Sequence, residues 1–256
     1  MPFVGQTSVR PSAPGPAVRS APRLRRVDHE TCQEQVYGQL RDAFMRGRFL
    51  PGDTLTLRGL ACELGTSLTP IRETLRQLVA EQALEIVERR KVKVPIMTGQ
   101  TLDELRRLRV ILEGMLTEEA SRRMVSSARE KLAALSRDMI IALERSDAKA
   151  YLAKNQAFHF EIYRASGSPI ALRVVENLWL RIGPSFNFLF RQRSLLTLEE
   201  SQDKIRESLV KHHEAIVDAM RNQRHANARE AMESDINSGM SFLGNVIGAT
   251  EEWRKW

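Results

Sequence analysis

Few residues in this chain have the type and spacing to do chemistry. Asn155 and His159 stand four apart, which sets an amide carbonyl and an imidazole on one face of a helix. Arg109 precedes Glu113 by the same interval. Its guanidinium either pairs with that carboxylate inside the helix or grips an acid brought from outside. Arg89, Arg90 and Lys91 concentrate positive charge between two short apolar runs, as a contact with a polyanion requires. Cys32 and Cys62 are the only cysteines, too few for a disulfide framework or a cysteine-rich zinc site. They fit a reducing cytoplasm. No nucleophile motif and no glycine-rich phosphate loop occurs. An enzymatic reading would therefore need a metal-activated water on helical ligands.

The elements that must position these groups follow from periodicity and punctuation. Val36, Leu40, Ala43 and Phe44 recur at helical spacing, so a first helix runs to about Arg46. Gly47 and Pro51-Gly52 break it. Thr56 is placed to cap a short second helix ending near Leu64. Gly65 turns the chain into a third helix from Leu68 or Thr69, with Pro70 in its first turn and an inner stripe of Ile71, Leu75 and Leu78. Leu84, Ile86 and Val87, then Val92-Lys93-Val94, read as two strands around the basic turn. Pro95 ends them. From Gln100 onward the pattern is helical, with expected helices at about 100–124, 127–145, 147–166, 169–192, 199–222 and 224–247. Six such helices make a bundle. The expected architecture is mainly α, a winged helix-turn-helix with a small β-hairpin followed by an all-helical bundle.

Length and charge add bounds. The 256 residues, 42% of them hydrophobic, suffice for two modest cores. No apolar run reaches the roughly 18–20 residues that a membrane helix needs. Neither a membrane span nor a secretory signal is expected, and the cytoplasm is the expected location. Residues 1–27 carry Arg10, Arg19, Arg23, Arg25 and Arg26 with no acid, which is five of the seven net positive charges. With five prolines as well, that segment reads as a basic tail that cannot fold alone. The expected organisation is a tail at 1–27, a winged helix at 28–95, a linker at 96–99, a helical domain at 100–248 and a charged tail at 249–256.

The stretch from Gln35 to Pro95 closely resembles the DNA-binding domain of the GntR family. The resemblance lies in Leu40-Arg41-Asp42-Ala43-Phe44-Met45-Arg46-Gly47 and Pro51-Gly52-Asp53-Thr54-Leu55. It continues in Leu60-Ala61-Cys62-Glu63-Leu64-Gly65-Thr66-Ser67 and in Thr69-Pro70-Ile71-Arg72-Glu73-Thr74-Leu75-Arg76-Gln77-Leu78. The remainder resembles the FadR branch, whose C-terminal domain is called FCD. Arg109-Val110-Ile111-Leu112-Glu113, Asn155-Gln156-Ala157-Phe158-His159, Lys211-His212-His213-Glu214-Ala215-Ile216 and Ala228-Arg229-Glu230-Ala231-Met232 carry that part.

The resemblance implies a homodimer that binds a pseudo-palindromic DNA operator and responds to a small carboxylate effector. It places Arg58, Ser67, Leu68, Thr69 and Arg72 at DNA-contacting positions, with Arg90 and Lys91 on the wing. Leu68 replaces the family's usual Arg, so it would meet a thymine methyl instead of making a bidentate contact. Lys91 replaces the usual Gly. FCD domains commonly hold a divalent metal with an Asp, a His four residues later and two further His. Here that set becomes Asn155, His159, His213 and Asp235, still suited to zinc, nickel or manganese. The resemblance also gives Arg109 the task of holding an acidic effector. An effector that favours one arrangement of the DNA-reading heads would shift operator affinity, with residues Val94–Gly99 as the hinge candidate.

Overall fold

A computed structural model describes residues 32–88, 91–191 and 199–249. The first helix, α1 (Cys32–Met45), buries Val36, Leu40 and Phe44, spaced four apart. It ends at Gly47, whose φ of +60° lets its N–H reach the Phe44 carbonyl at 2.9 Å. After the Pro51-Gly52 turn comes β1 (Thr54–Thr56), then α2 (Leu57–Glu63) and α3 (Leu68–Ala80). Thr56 does two jobs. It closes β1, and its hydroxyl accepts from the Gly59 N–H at 3.1 Å to cap α2. The inner stripe of α3, Ile71, Leu75 and Leu78, is buried against α1 and α2 as its spacing predicts.

The wing is β2 (Glu85–Glu88) and β3 (Lys91–Lys93). The sequence predicts a hairpin alone, but the sheet has three antiparallel strands in the order β1-β3-β2, with Leu55 opposite Val92. A three-residue strand is too short to show an alternating pattern, so only its tertiary partner reveals it. β2 is an edge strand, and its Ile86 and Val87 are exposed.

Six helices follow: α4 (Gly99–Arg123), α5 (Ser126–Glu144), α6 (Ala148–Ala165), α7 (Pro169–Arg191), α8 (Glu199–Arg221) and α9 (His225–Ala249). Their ends fall within two residues of those read from the sequence, because caps and breakers mark them. Thr98 caps α4 through the Thr101 N–H, and Asp147 caps α6 through the Ala150 N–H. α4 packs along α9 and across α6, and α5 packs against α6 and α8. Leu116, Phe158, Ile162, Met220, Met232 and Leu243 fill the centre. The segment expected as a hinge buries Val94 and Met97. None of the described helices is long and apolar enough to cross a membrane.

Candidate DNA-reading surface and cation site

One flank of α3, the start of α2 and the wing line an open groove of about 900 Å³. Leu57, Leu75 and Val92 contribute apolar lining, and Arg58, Arg72, Arg76 and Lys91 contribute cations. Arg76 pairs with Glu73 at 2.9 Å and Lys91 with Glu88 at 3.2 Å. Among the described residues, Arg58 and Arg72 form no ion pair, and both are exposed. Exposed cations left unpaired are the ones available to neutralise phosphate or reach a base edge. Ser67 occupies the N-cap of α3 without a side-chain cap bond, and Leu68 and Thr69 are exposed beside it. Leu68 thus keeps a large apolar side chain on the outer face of α3. Arg90 lies outside the described residues.

A second cluster lies inside the helical bundle. His159 on α6, His213 on α8 and Asp235 on α9 bring their donor atoms within 4.8 Å of one another. His159 Nε2 is 3.4 Å from one Asp235 oxygen, and His213 Nε2 is 3.8 Å from the other. His213 Nε2 is also 3.1 Å from Asn155 Oδ1. Both imidazoles are almost wholly buried. All four residues grouped by the family pattern therefore meet at one place.

Burial, followed by the charges of His213 and Arg109, holds the His159 imidazole well below its ordinary pKa, so it is neutral. Its tautomer follows from its neighbours. The Tyr163 hydroxyl donates to the buried Glu113 carboxylate, which leaves its oxygen to accept. The partner of that oxygen is His159 Nδ1, 3.0 Å away, so Nδ1 carries the proton. The Nε2 lone pair then faces Asp235 and His213. Hydrogen bonding of the second ring nitrogen is how proteins orient a metal-ligating histidine.

Arg109 resolves the alternative left open by its sequence. It donates to Glu113 through Nε at 2.6 Å and Nη2 at 3.1 Å, with both residues buried. Burial alone would lower the Arg109 pKa, but the Glu113 carboxylate beside it raises it, so the guanidinium stays charged. The guanidinium sits 4.9 Å from the centre of the Trp179 ring and 5.6 Å from that of Phe186. Among the described residues, the hydrogen-bond partner of Nη1 is the Met240 sulfur, at 3.5 Å. Trp179, packed 5.1 Å from the His159 ring, has a buried indole N–H with no hydrogen-bond partner among the described residues.

Sequence reasoning did not find Glu113 as a carboxylate bridging two residues, nor Tyr163, Trp179 or Phe186. Tyr163 had a signal, since 155, 159 and 163 form one i, i+4 stripe on α6. Trp179 had none, because its role depends on how α7 crosses α6 and α4.

Comparison with known proteins fits this architecture. The model for bacterial regulatory proteins of the gntR family matches residues 32–94, and the FCD domain model matches residues 104–238. The HTH-type transcriptional regulator McbR of Escherichia coli is 31% identical over 179 residues, which are 70% of this chain and 81% of that protein. The HTH-type transcriptional repressor GlaR of Escherichia coli is 28% identical over 173 residues, 66% of this chain and 78% of that one. The solved structure of E. coli McbR/YncC superposes with a TM-score of 0.78 at 26% identity, covering 86% of this chain and all of the other. The exposed reading helix, the wing and the helical bundle thus belong together: this chain is a DNA-binding transcription regulator of the GntR family with a C-terminal FCD domain.

Proposed function

We propose that the helical domain takes up one divalent cation and, with it, a small carboxylate metabolite that alters how tightly the winged helix holds its operator. The observation that carries this reading is the buried His159–His213–Asp235 cluster, with His159 already held in the ligating tautomer by Tyr163. His159 Nε2, His213 Nε2 and an Asp235 oxygen would hold the ion, with Asn155 Oδ1 beside them. Two imidazoles with oxygen donors suit zinc, nickel or manganese. When bound, such an ion supplies a Lewis-acidic position for a carboxylate oxygen.

The chain's own residues support an oxygen-rich ligand there. A buried donor without an acceptor costs about 1–3 kcal/mol. The Trp179 indole N–H is such a donor, and a ligand oxygen would satisfy it. Arg109 has spent its bidentate face on Glu113, so its share in holding an acid falls to Nη1. In the DNA-reading head, Arg72 faces base edges, Leu68 a thymine methyl, and Arg58, Ser67, Thr69 and Lys91 the backbone. A homodimer would place two such heads on a pseudo-palindrome.

The test of the cation reading is direct titration. Chelator-treated protein should bind Zn²⁺ or Ni²⁺ at one equivalent per chain, with affinity collapsing in His159→Ala and Asp235→Ala. Equal binding by wild type and both variants would place any bound metal elsewhere and overturn the reading.

A further inference from the structure

One helix joins the cation cluster to the DNA-reading head. On α7, Val175, Trp179, Ile182 and Phe186 follow one another at i, i+4, i+7 and i+11, forming one stripe. Trp179 and Phe186 flank Arg109, and Trp179 packs on His159. The adjacent stripe meets the head. Glu176 pairs with Arg41 of α1 at 2.6 Å, and Asn177 donates to the Glu81 carbonyl at the end of α3 at 3.2 Å.

At Gly183 the two backbones touch. A Cβ there would stand 3.0 Å from Met45 Cα and closer still to the Phe44 carbonyl oxygen. Conversely, a Cβ on Gly47 would stand 2.9 Å from the Gly183 carbonyl and 3.1 Å from Asn187 Cβ. Side chains can yield by changing rotamer, but backbone against backbone cannot. A shift of α7 towards α1 at this point therefore pushes on α1, which carries the core of the head through Phe44 and Leu40. Pro184 follows Gly183 and has no N–H for the Leu180 carbonyl. A rung of the helix is thus missing between Trp179 and Phe186, where bending costs least.

We propose that Gly183 is a positioning residue for DNA binding. Filling the His159–His213–Asp235 site moves Trp179 and Phe186, and the glycine contact passes that movement through α7 to α1. The inference rests on the cation reading above. It puts the coupling on α7 and not on the Val94–Gly99 segment, whose Val94 and Met97 are buried.

The experiment is a thermodynamic cycle on the full chain, using Zn²⁺ and a duplex chosen by selection from a random library. Zn²⁺ affinity is measured with and without duplex, and duplex affinity with and without saturating Zn²⁺. Wild type should show the same change on both sides, of about fivefold or more. In Gly183→Ala the coupling should fall towards onefold, while the chain still takes up one equivalent of Zn²⁺. Glu176→Gln leaves the backbone contact intact, and its coupling should fall part of the way. Full coupling in both variants would overturn the route through α7. Zn²⁺ binding by wild type with no coupling would overturn the inference and leave the cation reading standing. No Zn²⁺ binding at all would remove the cation reading and this inference with it.

Discussion

The DNA-reading head and the helical bundle treat charge in opposite ways. Along α3 and the wing, cations stand in solvent and two of them, Arg58 and Arg72, lack an internal partner among the described residues. In the bundle, Arg109 is buried and tied to Glu113, which Tyr163 also engages, and His159 is kept neutral. A surface that meets a polyanion gains from unspent charge, since binding releases counterions. A buried site cannot hold unspent charge, because desolvation is too costly. The difference explains why one region stands open to a duplex while the other keeps its buried charges paired.

The sharpest way to break this contrast is to unpair the buried arginine. Glu113→Ala leaves a buried guanidinium without its carboxylate and should cost about 3–5 kcal/mol, read from denaturant midpoints. A replacement of both residues by apolar ones should be far milder. Loss of less than about 1 kcal/mol in Glu113→Ala would mean that the pair is not desolvated in solution. On the open side, Arg72→Ala should weaken operator binding by about 1–3 kcal/mol without moving the unfolding midpoint. A matching loss of stability would show that Arg72 is structural.

Tyr163→Phe tests how the buried site is preset. It removes the acceptor for His159 Nδ1 and should weaken Zn²⁺ binding by about 10–100-fold. Unchanged affinity would show that the tautomer is set by something else. The smallest effect separates two hydroxyls at helix starts. Thr56 makes a cap bond and Ser67 makes none. Thr56→Ala should cost about 1 kcal/mol of stability. Ser67→Ala should leave stability unchanged and lower DNA affinity. A reversed pattern would contradict the assignment of Ser67 to DNA.

The same contrast governs what was legible in the sequence. The head was readable because its signals are local: Thr56 caps, Gly47 and Gly65 turn, and Ile71, Leu75 and Leu78 recur at helical spacing. The helices of the bundle were readable from their breakers. Asn155, His159, His213 and Asp235 were grouped through family resemblance, with the i, i+4 spacing of the first two matching its pattern. What stayed hidden depends on contacts between distant segments. β1 needs β3 to be a strand. Glu113 and Tyr163 meet across 50 positions. Trp179 reaches His159 only because α7 crosses α6. A glycine such as Gly183 carries no pattern at all; its meaning is the backbone of α1 lying against it.

The most direct test of the account is a selection of bound duplexes from a random library, run in parallel on wild type and Leu68→Arg. The account predicts a two-fold symmetric motif for wild type, and for the variant a motif of the same symmetry with a changed base at one position in each half-site. Binding without a motif, or the same motif from both proteins, would contradict the claim that the exposed face of α3 reads sequence through position 68.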